Sequence, residues 1–153
     1  MDDVALFLHL LGVLLFVAGI VVAGVAFETA RRRTRPAEIA LLLGLSRLGA
    51  ALVAVGALVT PGFGLWLVHL EDLGYGAGWI DAAIALYVVA LVLGGLGGQR
   101  PKQARLLACE LAARDQPANE RLRTLLADRG SLAANYGAAV CVLAILALMV
   151  FKP

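Results

Sequence analysis

The chain has 153 residues, of which 61% are hydrophobic, with a mean hydropathy of +0.89 and a net charge of only +2. Soluble domains of this size are usually about 45–50% apolar, so this composition excludes an ordinary soluble domain and indicates lipid as the solvent. The length is that of one domain, and we predict a single integral membrane domain over residues 1–153.

The first apolar run predicts a membrane span over residues 4–27. It carries no formal charge, and its only titratable group is His9. At about 1.5 Å per residue, a helix of this length crosses the roughly 30 Å hydrocarbon core. Asp2 and Asp3 stand where a secretory signal would have basic residues, so we expect a retained span.

The next two runs predict spans over residues 40–70 and 79–97. Pro36 suits the first turn of the second helix, and Pro61 is expected to kink its outer half because proline lacks the N–H that bonds to the previous turn. Small residues let helices approach closely, so two groups are predicted to pack against neighbouring helices. They are Gly12, Gly19, Ala23 and Gly24 in the first span and Gly94, Gly95, Gly97 and Gly98 in the third.

A polar segment over residues 100–130 separates the third span from a fourth over residues 132–151. Pro101 begins this segment and Pro117 divides it, which predicts two short amphipathic helices. Their apolar stripes are expected to lie along the membrane surface or against a partner. These stripes comprise Leu106, Leu107, Leu111, Leu122, Leu125 and Leu126. Ser131 is predicted to cap the fourth span.

Charge placement predicts the orientation. Cations of short loops are retained in the cytoplasm, and the four-span reading puts twelve of the thirteen Lys and Arg residues on one side. The prediction is an all-α, four-transmembrane-helix bundle with both termini outside and the short amphipathic helices inside. Because topology explains the basic clusters, they do not indicate nucleic-acid binding.

The two histidines are the candidate ligands. This orientation places His9 and His69 in the outer half of the membrane, on adjacent helices. Two such imidazoles can ligate a haem iron or hold a copper ion. Copper is the weaker choice because no Met-rich or Cys-rich pattern lies on that side. An interhelical hydrogen bond would also explain His9, and exposure at the interface would explain His69.

Asp81 and Lys152 lie on the same side and are candidates to support a ligating histidine or its bound group through a hydrogen bond or an ion pair. The alternative for Asp81 is an acid favoured by the dipole at a helix N-terminus. No phosphate-binding loop, nucleophile elbow or zinc-protease motif occurs, and no hydrophilic catalytic domain is present. An enzymatic activity is therefore not favoured.

Several segments resemble a known family. They are LFLHLLGVLLFVAGIVVAG, RPAEIALLLGLSRLGAALVAVGALVTPGFGLWL, GWIDAAIALYVVALVLGG and the final LALMVFKP. Together they look like the bacterial predicted integral membrane proteins of the domain of unknown function 2269 family. That family is similar in layout to copper-resistance protein D and to the HemJ-type protoporphyrinogen oxidases. The latter resemblance implies haem b bound through His9. The polar and basic residues of the HemJ-type spans are missing here, so the enzymatic activity is not carried over.

The resulting hypothesis is a multi-pass protein of the bacterial inner membrane that binds haem b near its outer face for a redox or haem-handling role. Absence of any cofactor is an equally open expectation. The alternative is a non-catalytic accessory or assembly subunit, and a copper-handling protein comes third. The expected partners are the lipid bilayer and either further copies of the chain or a larger membrane complex.

Overall fold

The computed structural model describes residues 2–70 and 78–151, and this part of the chain is helical with no strand. Four of its helices are long and apolar enough to cross a membrane, which confirms the all-α, four-span prediction. The N-out/C-out orientation stays a prediction. The five helices are α1 (Asp2–Arg31), α2 (Pro36–Leu70), α3 (Gly78–Ala113), the short α4 (Glu120–Leu126) and α5 (Arg129–Phe151).

The chain divides into two compact units. The first contains residues 1–28 and 44–75, and the second contains residues 29–43 and 76–153. Large apolar side chains remain exposed along all the long helices, for example Leu14, Leu58, Val88 and Leu143, which are 65%, 78%, 53% and 66% exposed. Such a surface is stable only against lipid or another apolar partner.

In the first unit, α1 and α2 pack backbone against backbone at glycines spaced seven residues apart on each helix. A Cβ atom added to Gly56 would lie 2.5 Å from the backbone nitrogen of Phe16, and one added to Gly19 would lie 2.6 Å from the carbonyl oxygen of Gly49. Gly12 meets the backbone of α2 in the same way. Only glycine permits this separation, so the predicted close packing of Gly12 and Gly19 is confirmed.

Other predicted glycine contacts are not made within the described part of the chain. Gly24 is exposed and has nothing within 4 Å of an added Cβ, because it lies about 140° around α1 from Gly19. On α3, Gly94, Gly95 and Gly98 are likewise exposed with open space around them. Only Gly97 of that group is buried, packed against the Asn135 side chain of α5.

The third helix extends past the predicted span of residues 79–97 and continues through Pro101 to Ala113. Proline has no N–H, so the carbonyl of Gly97 one turn earlier loses its usual helical donor. Two side chains of α5 replace that donor. The hydroxyl of Ser131 donates to this carbonyl at 2.5 Å, and the amide Nδ2 of Asn135 donates at 3.3 Å. The interhelical bonds explain why the proline is tolerated within the helix.

Ser131 is therefore not the cap of the fourth span. The capping residue is Asp128, whose carboxylate accepts a hydrogen bond from the backbone N–H of Ser131 at 2.8 Å. Aspartate at this position satisfies an N–H that has no partner inside the helix. Ser131 lies in the first turn of α5, is 5% exposed, and uses its hydroxyl for Gly97 instead.

The polar segment forms helices on both sides of Pro117, as predicted, although the first is the end of α3. Leu111, Leu122 and Leu126 are 6%, 0% and 5% exposed, so part of the leucine stripe is buried within the second unit. For these three residues the expected membrane-surface or partner contact is wrong, because α4 packs against α3. Leu106 is 56% exposed.

Candidate functional site

The candidate site lies in the first unit, where His9 of α1 meets α2. The Nδ1 atom of His9 lies 2.9 Å from the carbonyl oxygen of Thr60. A carbonyl can only accept, so Nδ1 carries the proton and donates it. In the neutral ring the other nitrogen, Nε2, keeps its lone pair, and it has no hydrogen-bond partner among the described residues. The interhelical hydrogen bond considered for His9 is thus present.

Gly64 provides the room for the imidazole ring. A Cβ atom at this position would lie 3.0 Å from both Cε1 and Nδ1 of His9, tighter than nearly all real Cβ contacts. Gly64 is one helical turn beyond Thr60 and therefore on the same side of α2. The sequence carries this signal, since a glycine follows Thr60 at a spacing of four, but only the structure shows that the ring uses it.

The Thr60 hydroxyl is a second unusual feature of the site. Its Oγ1 atom is buried and has no hydrogen-bond partner in the described part of the chain. The hydroxyl therefore does not satisfy the backbone carbonyl that Pro61 leaves without its helical N–H donor. An added Cβ at Gly12 would lie 2.9 Å from Oγ1, so the absence of a side chain at Gly12 leaves room for the hydroxyl. Buried hydroxyls without a partner are uncommon in proteins.

His69 lies near the end of α2 and is exposed. It follows Gly64 by five residues, which corresponds to about 7.5 Å along the helix axis and about 140° around it. His9 occupies the Gly64 side of α2, so the structure brings His9 together with Thr60 and Gly64 and does not bring it together with His69.

Of the two candidate partners of a ligating histidine, only Asp81 is among the described residues. Asp81 is exposed in the first turn of α3 and belongs to the second unit, a position that suits an acid favoured by the helix dipole. Lys152 lies outside the described residues. Within residues 2–70 and 78–151, no three His, Cys, Asp or Glu side chains gather where they could hold a metal ion. A role for Asp81 beside a bound cofactor stays a prediction.

The site can therefore offer one oriented imidazole nitrogen, in a helix pair whose outer surface is apolar.

No curated protein matches the chain. No solved structure matches it either. A family model described as predicted integral membrane protein matches residues 3–153, nearly the whole chain. The protein therefore belongs to the family of predicted integral membrane proteins called domain of unknown function 2269.

Proposed function

We propose that this multi-pass membrane protein binds haem b through Nε2 of His9 and serves a redox or haem-handling role in the bacterial inner membrane. The observation that carries the proposal is the hydrogen bond from His9 Nδ1 to the Thr60 carbonyl. Histidines that bind iron or other metals almost always donate their second ring N–H to a carbonyl or carboxylate. That bond selects the tautomer with a free Nε2 lone pair and makes the imidazole a stronger ligand.

The residues around His9 fit the role of a fixed iron ligand. Nδ1 donates to the Thr60 carbonyl, and the ring atoms Cε1 and Nδ1 lie so close to Gly64 that a Cβ there would be only 3.0 Å away. A rotation that moved Nε2 would break the hydrogen bond or press the ring into the backbone of α2. Haem, when bound, supplies one-electron chemistry at its iron. His9 alone would hold the iron, because His69 projects from another side of α2.

The test is the absorption spectrum of protein expressed with ample haem and purified in a mild detergent. The wild type should show a Soret band with close to one haem per chain. His9→Ala should lose the band, while His69→Ala should keep it and serve as the matched control, since it removes the only other histidine. Circular dichroism should show equal helix content in all three. A wild type without a Soret band, or a His9→Ala variant that keeps it, would refute the proposal.

A second candidate function, an accessory subunit of a larger membrane complex, draws support from α3. Gly94 and Gly98 lie four residues apart on this helix, and both are exposed with open space where a side chain would be. Small residues at this spacing favour close association with another membrane helix. Mild extraction should then yield a larger complex that Gly94→Leu disrupts and Gly24→Leu does not. Recovery of the wild type only as a free chain would exclude this function.

A further inference from the structure

The second unit contains a strongly basic part of the chain, which we call the basic region and define as residues 29–43 and 100–129. These two segments are about 60 residues apart in sequence, yet they belong to one compact unit. The basic region holds eleven Lys and Arg residues and five Asp and Glu residues. Its excess of positive charge far exceeds the net charge of +2 of the whole chain.

Part of this positive charge is not neutralised inside the protein. Arg31 and Arg32 have partners. Three more cations form ion pairs, Arg33–Glu38 at 3.7 Å, Arg100–Asp128 at 3.7 Å and Arg114–Glu110 at 3.0 Å, all between side chains that are one third exposed or more. Exposed pairs of this kind contribute little to stability. Six further cations form no ion pair with any described residue, namely Arg35, Lys102, Arg105, Arg121, Arg123 and Arg129.

Two of the six stand where a helix itself disfavours positive charge. Arg35 directly precedes α2, and its carbonyl accepts the N–H of Ile39 in the first turn. Arg129 is the first residue of α5. The N-terminus of a helix carries a partial positive charge, so a cation there is unfavourable unless an anion lies nearby. Asp128 already caps α5, and Arg100 pairs with that carboxylate, which leaves Arg129 without an anion of its own.

Exposed apolar side chains lie on the same helices as two of these cations. Leu41 and Leu45 follow Arg35 on α2 and are 76% and 47% exposed. Val92 and Leu96 precede Lys102 on α3, and both are 56% exposed. An anionic phospholipid matches this arrangement, because its charged headgroup is joined to apolar acyl chains. A soluble phosphate compound would contact the cations alone.

We infer that the basic region binds the headgroups of anionic phospholipids. Arg35, Lys102 and Arg129 are the unpaired cations of this region nearest in sequence to the apolar parts of α2, α3 and α5, and we assign the headgroup contacts to them. Lysine and arginine contribute favourable binding of about fivefold each near an anionic membrane surface. Arginine can also pair with two phosphate oxygens at once. Acyl chains of the same lipids would cover the exposed leucine and valine side chains. The inference is independent of haem binding.

The first test uses the wild-type chain. The protein is reconstituted into vesicles of equal parts phosphatidylglycerol and phosphatidylcholine and is then extracted gently. Mass spectrometry quantifies the lipids that remain bound. We expect phosphatidylglycerol to exceed phosphatidylcholine by at least fivefold, and the preference to fall when 1 M NaCl is present, because salt screens exposed charges. Millimolar inorganic phosphate should not displace the lipid. Equal retention of the two lipids, or displacement by phosphate, would overturn the inference.

The second test locates the site. The triple variant Arg35→Gln, Lys102→Gln, Arg129→Gln should lower the lipid preference at least fivefold. A matched triple variant removes the same charge from Arg114, Arg121 and Arg123, which flank the turn before α4 and are far from the apolar spans in sequence. This control should change the lipid preference less than twofold. Equal losses in both variants would overturn the assignment of the three cations. Labelling of the exposed Cys109 with a membrane-impermeant maleimide verifies that each variant inserts in the same orientation.

Discussion

Replacing Gly56 with alanine should separate α1 from α2 and destabilise the first unit. The added Cβ would lie 2.5 Å from the backbone nitrogen of Phe16 and 2.7 Å from the carbonyl oxygen of Gly12. Ordinary van der Waals contact begins at 3.4 Å, so one helix has to move about 0.9 Å away. The contacting atoms are backbone, and no side-chain rotation can relieve them.

The size of the effect follows from the packing that the movement removes. A gap of about 0.5–1 Å forfeits a quarter to a half of the dispersion attraction across an interface. Overpacking in well-packed cores costs about 1–3 kcal/mol. Alanine also has a better helix propensity than glycine, by about 1 kcal/mol, and this gain offsets part of the loss. Gly62→Ala isolates the packing effect, because Gly62 lies on the same helix with nothing within 4 Å of an added Cβ.

The assay is unfolding in mixed micelles, in which SDS is titrated against a mild detergent and helix content is followed by circular dichroism. Gly62→Ala should be as stable as the wild type or slightly more stable. Gly56→Ala should unfold at a lower SDS fraction, with a free energy of unfolding about 1–3 kcal/mol below that of Gly62→Ala. Equal midpoints for the two variants would show that α1 and α2 do not touch at Gly56, and the backbone-packing argument would then fail.

Three more predictions concern the second unit. Ser131→Ala removes the shorter hydrogen bond to the Gly97 carbonyl and should lower the free energy of unfolding by about 1–3 kcal/mol in the same assay. In a Pro101→Ala background, where a backbone N–H is restored to that carbonyl, the same substitution should cost much less. Additive losses in the double variant would contradict this. Asp128→Ala should cost about 1 kcal/mol through loss of the α5 cap, while Asp128→Asn should retain most of the stability, and equal losses from both would disprove capping. An impermeant maleimide should label Cys109 only from the cytoplasmic side of the membrane, since the other cysteine lies within a predicted span; labelling from outside would refute the N-out/C-out orientation.

The long apolar runs were sufficient to predict four spans, because the hydrocarbon thickness sets their length and only backbone-satisfied helices are stable there. The end of α3 was not predictable in the same way. Pro101 normally disrupts a helix, and its tolerance depends on Ser131 and Asn135, which lie more than 30 residues away. Interactions of that range leave no local pattern in the sequence.

At the candidate site, too, the sequence predicts some features and leaves others to long-range packing. The sequence identified His9 by its depth in an uncharged span, and it also contains Thr60 and Gly64 at a spacing that puts them on one side of α2. It contains nothing that states which face of α1 meets which face of α2. The glycine contacts supply that information. They show that His9 lies on the Gly64 side of α2 and that His69 lies on another side, although a charge-and-hydropathy profile makes the two residues look equivalent.

The spacing of small residues has a consequence for how α1 and α2 align. Ala5, Gly12, Gly19 and Ala26 recur every seven residues along α1, and all four are buried. If α1 moved along α2 by two helical turns, small residues would again lie opposite the α2 glycines. The small residues alone therefore permit more than one alignment of the two helices. The bond between His9 and the Thr60 carbonyl forms in only one of these alignments. A single polar contact therefore selects the register of the pair, as buried polar residues do in coiled coils.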